Sequence, residues 1–156
     1  MKVALAQINS FLGDFEYNKN LIIENIKKSV AQNCDIVVFP EASLFGYHPF
    51  DLLERKELVK QQLNKIKLIS KEIPNDVLVI FGAFTVNPSK TGKKFFNSAV
   101  VLQKNKKPKF YNKTLLPTGD VFDEARFIES GDINKNILIF RKKKILLTIC
   151  EDIWAW

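Results

Sequence analysis

A single histidine, two cysteines and six scattered glycines remove most common active-site designs from this 156-residue chain. His48 cannot build a His-rich metal site, and it is the one imidazole base open to a serine or cysteine triad. The glycines form neither GxGxxG nor a P-loop, so nothing supports a glycine-rich phosphate cradle. Two cysteines are too few for a disulfide scaffold. Long apolar runs are missing as well. Gln7 and Asn9 cut the opening VALAQIN short of the ~7–15 apolar residues of a signal peptide, and nothing approaches the ~18 of a membrane span. The expectation is a soluble, cytoplasmic protein of a reducing compartment, with no membrane partner and no Cys34–Cys150 disulfide.

What is present is ordinary globular material: 46% hydrophobic and 26% charged residues, in a chain long enough to bury roughly 68–70% of its unfolded surface. The formal charge of +7 comes from 24 Lys+Arg against 17 Asp+Glu. Its densest runs, KNKKPK at residues 104–109 and RKKK at 141–144, each lie between apolar β-type segments, where solvated turns belong. Aromatic residues do not interleave with these lysines as a stacking platform requires, so nucleic acid is not an expected partner.

Residues 3–8 read as a short strand covered on both faces, and residues 17–33 as an amphipathic helix with Ile22, Ile26 and Val30 along one face. Residues 36–39 form a fully apolar strand that stops at Pro40, giving β-α-β with a crossover suited to parallel pairing. A second helix is predicted over residues 50–72, with Val59, Leu63, Ile66 and Ile73 on one face and Pro74 closing it. Residues 77–82 and 95–102 read as a hairpin, and 137–140 with 145–149 as another, joined by RKKK. No repeat or linker divides the chain, so residues 1–156 are read as belonging to one α/β domain with helices packed on a mixed sheet. Trp154 and Trp156 need cover, which the rest of a longer domain or a partner would supply.

The chemistry-bearing residues stand at strand ends, where such sheets present function. Pro40 gives Glu41 a fixed, extended exit from its strand. Lys113 lies in the apolar and aromatic stretch FYNKTLLP, and Cys150 follows the apolar run ILLTI. Taken singly, each has a plain reading: a cap or loop bond for Glu41, a snorkelling surface lysine for Lys113, an inert core thiol for Cys150. Cys34 reads as a core thiol, and His48 as structural or solvent-exposed. A reactive Cys150 needs a base and a cation nearby, and Glu41 and Lys113 could supply them.

Together, FPEASLFGYHPFDLL around Glu41, YNKTLLP around Lys113 and LLTICEDIW around Cys150 resemble, in this order, the Glu-Lys-Cys triad of the nitrilase (carbon-nitrogen hydrolase) superfamily. The opening VALAQINSFLGDFEYNKNLI and FFNSAVVL resemble its first strand-helix unit and a central strand. Within it, GYHPFDLL, LPTGDVFDEARFIESG and ICEDIW are similar to the glutaminase part of glutamine-dependent NAD synthetases. His48 stands where a second proline is more usual, and Thr118-Gly119-Asp120 replaces a common Pro-Asn-Tyr.

The resemblance implies an α-β-β-α sandwich with mixed sheets, incomplete toward the C-terminus, of which this chain is roughly the first half to three-fifths. It implies Glu41 as general base, Lys113 as oxyanion-stabilising cation and Cys150 as nucleophile, with Glu124, Tyr47 and Glu151 as substrate contacts. A plain salt bridge is the other reading of Glu124. The implied substrate is glutamine, and its ammonia would go to amidation of deamido-NAD. No metal or cofactor is implied for the amidase step; ATP and magnesium belong to a synthetase domain absent from these residues. A homo-oligomer is expected. The alternatives are a stand-alone nitrilase-type amidase or carbamoylase, and an inactive fragment. The amidase reading requires Glu41, Lys113 and Cys150 to converge.

Overall fold

The computed structural model describes residues 1–119 and 121–155; Asp120 and Trp156, with the cover expected over that tryptophan, lie outside the described residues. Strand β1 (Val3–Leu5), helix α1 (Phe15–Ala31), β2 (Ile36–Val38), helix α2 (Lys56–Lys71) and β3 (Leu78–Val86) build a parallel β1-β2-β3 unit. Strand β4 (Phe95–Leu102) folds back antiparallel on β3, and β5 (Lys109–Asn112) pairs antiparallel with β4, giving the order β1-β2-β3-β4-β5. A short helix α3 (Glu124–Phe127) and a separate hairpin, β6 (Ile137–Phe140) with β7 (Lys143–Leu146), follow.

Helix α1 starts where the Asp14 carboxylate accepts the Tyr17 N–H at 2.9 Å. It stops before Asn33, which takes a left-handed φ of 58°. Its buried stripe, Ile22 and Ile26, meets Ile66 and Ile69 of α2 over Val37, Val79, Phe81 and Val100 of the sheet. The opposite sheet face, including Ile36, Leu78, Ile80 and Val101, packs on Leu138 and Phe140 of β6. Alternate residues of β3 therefore enter different cores, which is why the strand reads as an unbroken apolar run. Each isoleucine fully buried this way contributes roughly 1.5–3 kcal/mol. Helices, mixed sheet and hairpin stack in the α-β-β order of the expected sandwich. The outer face of the hairpin, with Ile137, Ile139 and Leu146, is exposed. Among the described residues no helix is long and apolar enough to cross a membrane.

Several expectations are corrected. Strand β1 ends at Leu5 and lies at the sheet edge, with Val3 and Leu5 exposed and Ala4 turned inward, so it is covered on one face only. The helix expected over 50–72 breaks into a 3-10 turn (Phe50–Glu54) and α2, with Arg55 extended between them. Leu53 and Val59 both enter the core of Phe45, Phe84 and Phe95, and in one continuous helix residues six apart face different ways. Strand β5 was not anticipated, and β3 runs on to Val86. The second hairpin turns on Arg141 and Lys142 alone, placing Lys143 and Lys144 within β7 and ending that strand at Leu146. The basic run is more than a solvated turn: Arg141 reaches the Asp35 carboxylate and donates to the Asp76 carbonyl at 3.1 Å, tying the hairpin to the ends of β2 and β3. Trp154 is exposed.

Arg141 and Lys142 have φ of 45° and 62°, the two left-handed positions of a type I′ turn. Lysine is strained at the second of these, where glycine is not. Lys142→Gly is therefore expected to stabilise the protein by about 0.5–1 kcal/mol in urea denaturation, and an unchanged or lower midpoint would contradict the turn assignment.

Candidate active site

Beyond β2, Phe39 still donates to the Ile80 carbonyl at 2.9 Å, but Pro40 has no N–H to continue the ladder, and the chain lifts into a turn. The turn is pinned back on β3 at Gly82, whose N–H reaches Ser43 Oγ at 3.1 Å and whose carbonyl accepts Leu44 N–H at 3.0 Å. The backbones touch there: a methyl group on residue 82 would lie 2.0 Å from the Ala42 nitrogen and 2.6 Å from the Glu41 carbonyl carbon. Glycine at this strand position is what lets Glu41 sit over the sheet.

Two strands away, the Lys113 N–H extends the β4–β5 pairing by donating to the Asn97 carbonyl at 2.8 Å. Its side chain turns inward with no solvent exposure, which overturns the snorkelling reading. The ammonium lies 2.8 Å from Glu41 Oε1, and 2.9 Å and 3.0 Å from the two oxygens of Glu124, which opens α3. Asn97 Nδ2 donates to the same Glu41 Oε1 at 2.7 Å, and Tyr47 Oη to Glu124 Oε1 at 3.1 Å.

Cys150 opens a 3-10 turn (Cys150–Ala155) with φ of 47° and is exposed, so it is not an inert core thiol. Its thiol lies close enough to Glu41 to feel the charge of that carboxylate. Both residues line a cleft of about 120 Å³, with Pro40, Gly82, Ser98 and Ile149 in its walls.

One ammonium faces two carboxylates, and the titration of the site follows. Burial pushes the Lys113 ammonium down, but the Glu41 and Glu124 carboxylates outweigh it and hold the group above its ordinary range. Burial raises Glu124, helped by the Glu41 charge and opposed by Lys113. Burial and the same two carboxylates raise Tyr47. Partial desolvation of the cleft raises the Cys150 thiol, with the Glu41 charge adding to it and Lys113 opposing.

The structure thus brings together Glu41, Lys113, Glu124, Tyr47 and Cys150. Glu151 is half-buried on the turn behind Cys150 and makes no hydrogen bond or ion pair among the described residues. His48 stacks on Phe50 at 5.0 Å, and burial lowers its pKa. Among the described residues no three His, Cys, Asp and Glu side chains gather as a metal-binding group. Sequence reasoning missed Asn97, which holds Glu41 through its side chain and Lys113 through its carbonyl. The available signal was the polar pair Asn97-Ser98 inside an otherwise apolar strand.

The sequence matches the carbon-nitrogen hydrolase family over residues 2–155. It is 34% identical over 155 residues to a glutamine-dependent NAD(+) synthetase of Synechocystis sp., an alignment that takes in 97% of this chain and 28% of that protein. Identity to the Acinetobacter baylyi glutamine-dependent NAD(+) synthetase is 34% over 154 residues, 99% of this chain and 27% of the relative. The solved structure of the glutamine-dependent NAD+ synthetase from Acinetobacter baumannii, in complex with ADP, superposes with a TM-score of 0.86 at 32% identity, over 98% of this chain and 28% of that one. An amidase from Nesterenkonia sp. superposes at 0.78 with 18% identity, over 98% of this chain and 56% of that one, a likeness of fold alone. The chain spans between a quarter and a third of the length of these synthetases.

Gly82→Ala should cost about 1–3 kcal/mol in urea denaturation, because backbone atoms rather than a movable side chain occupy the methyl position. Unchanged stability would show that the Glu41 turn does not depend on this approach.

Proposed function

The chain belongs to the carbon-nitrogen hydrolase family, and from that premise we propose that it is the N-terminal part of the glutaminase domain of a glutamine-dependent NAD synthetase. The observation that carries the proposal is the placing of Cys150 in one cleft with a Glu41 carboxylate already held by the buried Lys113 ammonium. The likeness to glutamine-dependent NAD synthetases, over nearly the whole chain, supports glutamine as the amide.

An amide resists hydrolysis because its carbonyl is resonance-stabilised and its nitrogen leaves poorly, so a covalent step with proton delivery helps. The bonds from Asn97 and Lys113 both land on Glu41 Oε1, which leaves the capacity of Oε2 for the thiol proton. As Glu41 takes that proton, the Cys150 sulfur attacks the side-chain carbonyl carbon of glutamine. An ammonium carries three N–H donors; Glu41 and Glu124 engage two, and the third stabilises the developing oxyanion. Glu41 returns the proton to the departing nitrogen, releasing ammonia and leaving a glutamyl thioester. Water, deprotonated by Glu41, attacks the thioester carbon and releases glutamate with the thiol restored. Glu124 and Tyr47, joined by a hydrogen bond, and Glu151 on the turn after Cys150 are the proposed substrate contacts.

No metal or cofactor enters these steps. ATP and magnesium would serve the synthetase domain, where the ammonia amidates deamido-NAD. Association with that domain and with further copies of the chain belongs to the same proposal. So does a cytoplasmic location, which the unpaired Cys34 and Cys150 suit.

Little or no turnover is expected of these 156 residues by themselves, so a glutaminase assay with hydroxylamine trapping on the complete domain tests the reading. Lys113→Ala is expected to lower kcat by about 10²–10³, as loss of an oxyanion donor does, and Cys150→Ala to abolish the trapped adduct. Near-normal turnover in Cys150→Ala would end the covalent mechanism. Turnover of simple amides without glutamine would point to a stand-alone amidase.

A further inference from the structure

Asp152, two residues beyond Cys150, is 1% exposed. Its Oδ1 accepts the N–H groups of Thr114 at 2.9 Å and Leu115 at 2.8 Å, and its Oδ2 accepts that of Ile149 at 3.0 Å. Thr114 directly follows Lys113, and Ile149 directly precedes Cys150. One carboxylate therefore grips the backbone beside the cation and the backbone beside the thiol. No strand pairing joins these two segments: β5 ladders with β4, and β7 with β6. A longer relay passes through Asn136, which donates to the Asn112 carbonyl at 2.9 Å and accepts the Leu147 N–H at 2.8 Å. Three converging N–H donors suit a carboxylate, which is all acceptor; an amide of the same shape would turn an NH₂ against one of them.

We propose that Asp152 is a positioning residue that sets the separation of the Lys113 ammonium and the Cys150 thiol and holds Cys150 in its left-handed conformation beside Glu41. The proposal rests on the catalytic reading of that trio, but its test needs no substrate. The charged groups that act on the thiol are Glu41, Lys113 and Glu124.

The experiment follows alkylation of Cys150 by iodoacetamide against pH, read by mass spectrometry of its peptide, alongside Tm. In the wild-type protein the inflection is expected above the ~8.5 of a free thiol. In Asp152→Ala the thiol leaves Glu41 and the inflection moves down toward that value. Asp152→Asn keeps the fold and the Thr114 and Leu115 bonds, sets an NH₂ against the Ile149 N–H, and gives a smaller shift in the same direction. A core variant, Ile69→Val, lowers Tm without moving the inflection. If Asp152→Ala does not fold, Asp152→Asn decides alone. A lowered Tm with the wild-type inflection kept in the folded variants, or a wild-type inflection already at that of a free thiol, overturns the proposal. Failure of glutamine hydrolysis with the shift intact would instead remove only the catalytic reading.

Discussion

An ammonium sealed from water stays charged only where carboxylates reach it, and the architecture around Lys113 brings two of them from different parts of the chain. Glu41 arrives from the turn after β2, Glu124 from the start of α3, and the lysine from the end of β5. Strands β3 and β4 lie between β2 and β5, so the Glu41 turn must ride over the sheet to reach the lysine. The close approach at Gly82 permits that path, and Asn97 on β4 stands midway with a bond to each side.

Two carboxylates around one ammonium leave the cluster rich in negative charge, and the neighbouring groups respond by holding protons. Glu124, Tyr47 and the Cys150 thiol are all raised, with burial as the leading cause and carboxylate charge adding to it. A thiol raised in this way rests as a thiol, unlike the thiolate of a cysteine beside a cationic imidazole. The proposed nucleophile thus needs a base that acts during attack, and Glu41, in the same cleft, is the one proposed for it. Lysine suits the proposed oxyanion role because its charge, held above the ordinary range, persists throughout.

Where burial was two-sided or strictly periodic, the sequence was readable. Strand β4 and the stripe of α1 lie within a residue or two of where their patterns placed them. Strand β5 escaped because Lys109 and Phe110 are exposed while Tyr111 is buried, a weak alternation beside a basic turn. The break at Arg55 escaped because both halves of the stretch are helix-like, and only the core that Leu53 and Val59 share requires the bend. At the site, motif order pointed to Glu41, Lys113 and Cys150, but the residues that join them look ordinary in one dimension. Of the two acids after the cysteine, Glu151 was singled out; Asp152 is the one whose carboxylate grips the surrounding backbone.

The most direct test of this account is urea denaturation of Lys113→Met alone and combined with Glu41→Gln and Glu124→Gln. Removing the ammonium leaves two carboxylates crowded without compensation, and a loss of about 3–5 kcal/mol is expected. Neutralising both carboxylates in the triple variant should recover most of it. A Lys113→Met protein as stable as the wild type, or a triple variant no better than the single, would contradict the dependence of the structure on this buried charge.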